Sequence, residues 1–216
     1  MTTDPNSRLV ALEDRARRDA RLYSPSATRN AVPIRDVLTA LLPADARVME
    51  IGSGTGQHGE ACCQARWDIH WQTSELDPDS RGSCAARAND LPGLLAPLAI
   101  DASVPDWHDG LDMVDALVCM NVIHIAPWRV AEGLVASASK LVREGGFLFL
   151  YGPFKDGAQT APSNLDFDAS LRMRNPDWGV RDLDAVVSLL AEGGFALERR
   201  IGMPANNLSL IFRRSA

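Results

Sequence analysis

Strand-like and helical segments alternate along most of this chain, and the alternation limits the folds it can form. Five apolar or β-branched runs, each a candidate strand, are separated by helical patterns. Strands that alternate with helices predict an α/β fold: a parallel sheet with right-handed crossovers. The predicted strands are 47–51, 69–74, 97–100, 114–120 and 146–151, and the predicted helices are 33–42, 57–65, 79–89, 127–142 and 182–192.

Two further strands are predicted at 195–201 and 208–213, with only a short connection between them. A parallel pair needs a crossover of about a dozen residues, so these two strands should pair antiparallel. The sheet is therefore predicted to be mostly parallel, with an antiparallel hairpin at one end.

Two segments fall outside the alternation. Residues 1–30 are polar and rich in arginine, and 9–22 has the composition of a helix, either solvated or a lid over a ligand. Pro25 disfavours helix at the residue before it. Residues 152–181 mix polar and aromatic side chains without clear periodicity, as expected of a cap over a small-molecule pocket or of an ordinary insertion. We expect an arm over 1–30 and one domain over 31–216, with a cap at about 152–181.

Composition argues against several classes of protein. The 216 residues are 46% apolar and 23% charged, which suits one globular domain, and no apolar run approaches the ~18 residues of a membrane helix. A net charge of −6 argues against nucleic acid as the main partner. The four cysteines and four histidines lack metal-ligand spacing, and the start lacks the pattern of a secretory signal. We therefore expect no metal, no disulfide framework and a cytoplasmic location.

A glycine cluster at 50–56, Glu-Ile-Gly-Ser-Gly-Thr-Gly, stands where the first predicted strand meets its helix. Glycines there permit positive φ and close approach of a ligand to the backbone. Gln57 and His58 exclude a phosphate loop, and a dinucleotide fingerprint would need its third glycine at position 57. Glu50 is unfavourable beside a pyrophosphate but suits a ligand with ammonium and sulfonium groups. The pattern favours S-adenosylmethionine, held along Gly52, Ser53, Gly54 and Gly56, with a purely structural turn as the alternative.

Acidic residues also end the next two predicted strands. Glu75 follows the glycines at close to the ~20-residue distance of a ribose-binding acid, and one carboxylate can accept from both ribose hydroxyls. Asp77 is the rival for this role, or a turn former before a proline. Asp101 can accept from an adenine amino group, with Ala102 contributing its backbone N–H. The alternative for each acid is that it only caps the end of its strand and binds no ligand.

Polar residues leave the fourth and fifth predicted strands at the same edge. His124 is a candidate general base or substrate orienter, and a core histidine is the alternative. Tyr151 is the second choice of base. Asn121, Asn206 and Asn207 would orient the acceptor or the methionine moiety. In the predicted cap, aromatic side chains would enclose a compact acceptor and arginines would select an anionic group: Phe154, Phe167, Trp178, Arg172 and Arg174.

Further motifs extend over nearly the whole chain: Tyr23-Ser24-Pro25 with Arg29-Asn30, residues 52–58, Asn121-Val122-Ile123-His124, Tyr151-Gly152-Pro153-Phe154, 174–179 and 203–207. With them the chain resembles the class I S-adenosylmethionine-dependent methyltransferases over roughly residues 30–216. More specifically, it is similar to a methyltransferase-like family formerly described as a domain of unknown function, whose animal member is methyltransferase-like protein twenty-six. Glu75 departs from that pattern, since an aspartate is common there.

The resemblance implies a Rossmann-like sheet in the order 3-2-1-4-5-7-6, with the seventh strand antiparallel. It implies S-adenosyl-L-methionine as cofactor and in-line methyl transfer to an acceptor, which we expect to be a small molecule. Tyr23 and Arg29 would close over the cofactor, with Arg29 pairing its carboxylate. A dinucleotide-dependent oxidoreductase and a non-catalytic S-adenosylmethionine-binding module are the alternatives. No nucleic-acid or membrane partner is expected, and the oligomeric state is left open, with a homodimer as one option.

Overall fold

Strands and helices alternate in the computed structural model of this chain, which describes residues 13–215. The strands are β1 (Ala16–Arg18), β2 (Arg21–Tyr23), β3 (Arg47–Ile51), β4 (His70–Ser74), β5 (Leu94–Leu98), β6 (Val114–Met120), β7 (Val142–Lys155), β8 (Arg181–Asp182), β9 (Phe195–Met203) and β10 (Asn207–Arg214). The helices are α1 (Pro25–Leu41), α2 (Gln57–Ala65), α3 (Pro78–Ala88), α4 (Trp128–Leu141), α5 (Pro162–Arg174) and α6 (Leu183–Glu192).

The main sheet has the order β5-β4-β3-β6-β7-β10-β9, and the short β8 adds to β7. The pairs from β5 to β7 are parallel, whereas β10 is antiparallel to both β7 and β9. Counted from β3, this is the predicted order 3-2-1-4-5-7-6 with the seventh strand antiparallel. The predicted Rossmann-like fold class is confirmed.

The sheet has a hydrophobic core on each face. Successive side chains of a strand point to opposite faces. Leu117 and Leu148 accordingly pack into one core with α4 and α6, whereas their neighbours Val118 and Phe149 pack into the other with α1 and α2. All seven residues of β6 are buried, which explains its continuous apolar sequence.

The helix expected at 9–22 is wrong over the part that the structure describes, and its first residues, 9–12, lie outside that part. Ala16–Arg18 and Arg21–Tyr23 form an antiparallel hairpin in which Arg18 pairs with Arg21. The turn places Asp19 at a φ of 55°, a left-handed conformation that aspartate tolerates better than most residues. The hairpin packs against α3, and this tertiary contact overrides the local helical composition.

Helix α1 begins at Pro25, not at the predicted residue 33. Ser24 is its N-cap: its hydroxyl accepts a 3.1 Å hydrogen bond from the N–H of Ala27, and Pro25 takes the first helical position. Pro33 therefore lies inside the helix. The pair Ser24-Pro25, interpreted from sequence as a break, is the start signal.

Other boundaries also differ from the sequence prediction: β7, for example, spans Val142–Lys155 rather than 146–151, so it includes the first residues of the predicted cap. Strand β5 covers Leu94–Leu98 rather than 97–100, because it pairs with β4 from Leu94 onward, and as an edge strand it tolerates Pro97. The segment 152–181, which shows no clear periodicity, contains α5. Only Asn164 and Leu171 are buried on that helix, so its apolar pattern is weak. Within residues 13–215, none of the helices combines the length and apolarity that crossing a membrane requires.

Candidate active site

The glycine loop joins β3 to α2 at the carboxyl end of the parallel strands. Gly52, Gly54 and Gly56 have φ values of 66°, 55° and 80°, which glycine adopts without steric cost. A Cβ on Gly52 would lie 2.4 Å from Val122 Cγ2, so no side chain fits there. Ser53 ties the loop to β4: its N–H donates to the carbonyl of Ser74 at 2.8 Å, and its hydroxyl accepts from the Ser74 N–H at 3.1 Å.

Glu50 lies at the base of this loop and is 1% exposed. Its Oε2 accepts a 2.9 Å hydrogen bond from Trp71 Nε1, while Oε1 has no partner among the described residues. Burial raises the pKa of Glu50 to about 7, against the lowering effects of the Trp71 hydrogen bond and of the nearby Ser53 side chain. Since buried polar atoms are normally paired, the free oxygen fits a ligand that brings a donor or a positive charge.

The two rival acids after β4 have different partners. Glu75 is 8% exposed, and its Oε2 accepts from the Gly54 N–H at 2.7 Å. Asp77 caps α3 by accepting from the Ser80 N–H at 2.8 Å. The structure therefore gives Asp77 a helix-capping contact and places Glu75 against the glycine loop.

Asp101 and Ala102 follow β5 at the same edge of the sheet. Asp101 Oδ1 accepts hydrogen bonds from the N–H and the hydroxyl of Ser103, at 2.9 and 2.7 Å. One carboxylate oxygen of Asp101 therefore stabilises the turn in which Asp101 lies. Ala102 is buried, and its carbonyl would lie 2.0 Å from a Cβ on Gly133. Helix α4 therefore packs directly against this turn.

His124 is buried, 1% exposed, after β6. Its Nδ1 accepts a 3.3 Å hydrogen bond from the Arg181 N–H, so in the neutral ring the proton is on Nε2. Nε2 faces Gly152, where a Cβ would lie 2.5 Å away, and has no partner among the described residues. Burial, aided by the charge of Arg181, lowers the pKa of His124 to about 3. These features favour a neutral hydrogen-bond donor over a general base.

Asn121, Tyr151 and Ser209 surround the same end of the sheet. Asn121 has a φ of 62°, and its N–H donates to the Tyr151 carbonyl at 2.8 Å. Ser209 stands opposite Tyr151 in the pairing of β10 with β7, and both buried hydroxyls have no partner in the described part of the chain. Burial raises the pKa of Tyr151 to about 12, and nearby Asn207 lowers it slightly. Ser209 was missed from sequence because it reads as an ordinary strand residue.

The start of α1 is attached to the glycine loop through Gln57. Gln57 Oε1 accepts from the Ser24 N–H at 2.7 Å, and its amide donates to the Thr28 hydroxyl at 2.8 Å. Arg29, the next residue of α1, is exposed. The centroid of the Tyr23 ring lies 4.7 Å from the guanidinium carbon of Arg87 and 5.5 Å from that of Arg18. The structure thus brings Tyr23 and the first turn of α1 next to the loop.

The cap residues make mostly intramolecular contacts. Phe154 is buried with its ring edge-on to His124 at 5.0 Å, and Trp178 packs with Leu171 and Val180, with Phe167 against that cluster. Arg172 Nε pairs with Asp168 at 3.0 Å. The amide of Asn206 donates to the Ser163 hydroxyl, and that of Asn207 to the Pro204 carbonyl.

A family model described as "Protein of unknown function (DUF938)" matches residues 21–214. The chain belongs to this family. Its structure is similar to that of the pyocyanin biosynthetic protein PhzM, at 19% identity and a TM-score of 0.71 over 88% of this chain and 56% of the other. It is also similar to an O-methyltransferase family protein from Burkholderia thailandensis, at 18% identity and a TM-score of 0.75 over 88% of this chain and 58% of the other. The mitomycin 7-O-methyltransferase MmcR matches at 18% identity and a TM-score of 0.70, over 88% of this chain and 55% of the other.

These similarities show that this DUF938 protein shares the Rossmann-like fold of the class I methyltransferases. The chain spans only a little over half the length of those solved structures.

Helix α3 supplies residues that sequence reasoning missed in this DUF938 chain. Its buried face is polar: it comprises Ser80, Ser83, Cys84 and Arg87. These residues follow the i, i+3, i+4, i+7 spacing of one helical face, and that spacing is the signal that was available. Apolar periodicity alone does not find such a face.

Proposed function

We propose that this protein is an S-adenosylmethionine-dependent methyltransferase that acts on a small-molecule acceptor. The observation that carries the proposal is the pairing of a left-handed glycine loop with the buried carboxylate of Glu50, one oxygen of which has no partner among the described residues. A cationic ligand at this loop would satisfy that oxygen and offset the cost of burying the carboxylate. The similarity to the methyltransferase-like protein twenty-six family is consistent with this activity.

Each part of the cofactor has residues that suit it. The backbone of Gly52, Ser53, Gly54 and Gly56 would face the ligand, and Glu50 would accept from its ammonium group. Glu75 would accept from the ribose hydroxyls, while Asp101 and Ala102 would lie near the adenine. Tyr23 and Arg29 would close the methionine end, with Arg29 pairing the carboxylate and Asn121 contacting the same moiety. When bound, S-adenosylmethionine supplies a methyl group that is already activated on a sulfonium.

The protein's own contribution would be alignment rather than strong base catalysis. Because His124 is neutral with its proton on Nε2, it would donate a hydrogen bond and orient the acceptor. The Tyr151 hydroxyl, with a pKa near 12, is likewise a donor at neutral pH. Asn206 and Asn207 would fix the acceptor from the β9–β10 connection. Correct alignment can supply much of the rate enhancement of a displacement at an activated carbon.

We propose an oxygen acceptor on a compact, partly aromatic metabolite. The names of two solved relatives, an O-methyltransferase family protein and mitomycin 7-O-methyltransferase, support this chemistry. Residues 152–181 would form the cap, with Phe154, Phe167 and Trp178 enclosing the acceptor after a rearrangement of their packing. Arg172 and Arg174 would select an anionic group, and residues 1–30 would form the arm or lid. The net charge of −6 gives no general attraction to nucleic acid.

Calorimetric titration tests the cofactor directly. We expect S-adenosylmethionine and S-adenosylhomocysteine to bind, and NAD and NADP not to bind. Incubation of metabolite extracts with methyl-labelled cofactor should then transfer label to a small molecule. Binding of a dinucleotide instead would overturn the proposal in favour of an oxidoreductase, and cofactor binding without transfer from any extract would favour the non-catalytic module.

A further inference from the structure

Arg87 is a buried cation between the N-terminal hairpin and the glycine loop. It lies on α3 and is 0% exposed. Its Nε donates to the Thr55 carbonyl at 2.8 Å, and Nη2 donates to the Leu22 carbonyl at 2.7 Å. Nη1 pairs with Glu60, and the ring of Tyr23 lies 4.7 Å from the guanidinium carbon. One side chain therefore bonds both to strand β2 and to the glycine loop.

Ser83 forms a second bridge between the same two residues. Its hydroxyl accepts from the Leu22 N–H at 2.8 Å and donates to the Thr55 carbonyl at 2.9 Å. Both backbone groups of Leu22 are thus satisfied by side chains of α3. The Thr55 carbonyl receives hydrogen bonds from both of those side chains.

Arg15, just before the hairpin, makes a third link. Its Nη1 donates to the Ser80 hydroxyl at 2.7 Å, and its Nη2 would lie 3.8 Å from a Cβ on Gly54. The loop and α3 are also tightly packed, since a Cβ on Gly56 would lie 3.0 Å from Cys84 Sγ. The helix and the loop are therefore packed too closely to move far relative to one another.

A separation of hairpin from loop would leave buried polar groups unpaired. The Arg87 guanidinium would keep its ion pair with Glu60 but lose its hydrogen bond to the Leu22 carbonyl, which leaves a buried donor unpaired. The Leu22 N–H would lose its acceptor as well. Both bridges end on the Thr55 carbonyl. A displacement of β2 would therefore disturb the conformation of the loop that contains Gly54 and Gly56.

We propose that Arg87 is a positioning residue that couples docking of the hairpin Ala16–Tyr23 to the conformation of the glycine loop. The inference rests on the proposed function, because the loop is where S-adenosylmethionine would bind. Coupling between two sites is reciprocal: a ligand that holds the loop also holds the hairpin, and a docked hairpin raises the affinity for the ligand. The hairpin then supports the cofactor site through Arg87, in addition to the contact proposed for Tyr23.

Arg87→Met tests the coupling, with Arg66→Met as the matched control. Arg66 also bonds to an acid, Asp68, and to backbone carbonyls, but at the opposite end of α2 from the loop. In unliganded protein, measured well below the melting temperature, we expect faster amide hydrogen exchange at Leu22 and at 53–56 in Arg87→Met only. S-adenosylhomocysteine should bind Arg87→Met at least ~5-fold more weakly, within the usual range of coupling energies, and Arg66→Met within ~2-fold of wild type.

Two further variants separate positioning from plain stabilisation. Arg87→Lys keeps the charge but cannot reach all three acceptors at once, so it should recover part of the lost affinity. Ser83→Ala removes only the second bridge, so it should raise hydrogen exchange and lower affinity for S-adenosylhomocysteine by less than Arg87→Met does. If Arg87→Met does not fold, Ser83→Ala takes its place in the test. Unchanged exchange at 53–56 together with unchanged affinity would overturn the coupling. If wild type binds no S-adenosylhomocysteine, the proposed function fails, while the exchange comparison still decides the coupling.

Discussion

The carboxylate of Glu75 accepts a 2.7 Å hydrogen bond from the backbone N–H of Gly54. Its other oxygen accepts from the Leu76 N–H at 2.8 Å. The end of β4 and the middle of the glycine loop are therefore joined through one carboxylate, which is held in a fixed orientation beside the proposed ribose site.

Glu75→Ala should weaken S-adenosylhomocysteine binding by roughly 10- to 100-fold, since hydrogen bonds to charged groups contribute about 1.5–3 kcal/mol. The matched control is Asp77→Ala, which removes the N-cap of α3. It should lower the free energy of unfolding by about 1 kcal/mol with little change in affinity. Calorimetry and urea unfolding measure the two effects. The reverse pattern would transfer the ribose role to Asp77.

Arg29→Met should weaken binding of S-adenosylhomocysteine about tenfold but leave 5′-methylthioadenosine unaffected, because only the first ligand carries a carboxylate. The loss is within the range of a charge-assisted hydrogen bond. Arg35→Met is the control: Arg35 lies on the same helix and pairs with its neighbour Asp36. Equal losses for both ligands would show that Arg29 does not pair the carboxylate.

Three buried groups contribute to the pH dependence of stability between about pH 4.5 and 7. Burial raises the pKa of Glu50 to about 7 and lowers those of His58 and His124 to about 4 and about 3. Between about pH 4.5 and 6.5 the unfolded chain binds protons on both histidines, whereas the folded protein binds one on Glu50. The unfolded chain thus binds more protons from these groups, so they make stability rise with pH in this window.

Glu50→Gln should make that rise steeper, by at most about 1.4 kcal/mol per pH unit, because the opposing proton uptake of the folded state is removed. Above pH 6.5 the wild-type stability should level off near pH 7, because protons on the unfolded histidines and on folded Glu50 then nearly balance, whereas the stability of the variant should keep rising. Urea unfolding at pH 5, 6, 7 and 8 gives both curves. Parallel curves would contradict the raised pKa of Glu50.

The ring of His124 should stay neutral, with its proton on Nε2, from pH 5 to 8. Two-bond nitrogen–proton correlation spectra of the imidazoles report the tautomer, and His124→Gln identifies the signal. His70, which is exposed, provides an internal comparison in the same samples. Titration of the His124 ring in this range would restore the general-base interpretation.

Gly52→Ala should lower stability by more than about 1–2 kcal/mol, the cost of a left-handed conformation, because its Cβ would also meet Val122 at 2.4 Å. Gly82→Ala on α3 is the control, since a Cβ there has open space, and it should raise stability by about 0.5–1 kcal/mol. Thermal unfolding measures both. An unchanged Gly52→Ala protein would mean that the loop tolerates a side chain.

The order of the strands and the position of the glycine loop could be predicted from the sequence. Local patterns indicate the strands and the loop, and the resemblance implies the strand order. The continuous apolar run of β6 predicts burial on both faces, and glycines between a strand and a helix indicate the loop. The assignment of Glu75 against Asp77 was not accessible. Which acid contacts Gly54 depends on the conformation of the turn after β4, which local sequence patterns do not specify.

Long-range polar contacts explain the remaining misses. Arg87 looks like a charged residue on a solvated helix, yet it is buried because Leu22, more than sixty residues away, supplies a carbonyl. The hairpin before α1 is stabilised by its packing against α3, and such a long-range contact cannot be predicted from local propensity. Pro33 suggested a helix start, but the cap at Ser24 and the packing of α1 on α2 extend the helix past it.

Strand β10 follows β9 in the chain but lies between β9 and β7 in the sheet. During synthesis β9 therefore emerges before the strand that will join it to the rest of the sheet. Until β10 inserts, β7 presents a free apolar edge, and free edges invite pairing with other chains. We expect the late insertion of β10 to be the step at which aggregation competes with folding.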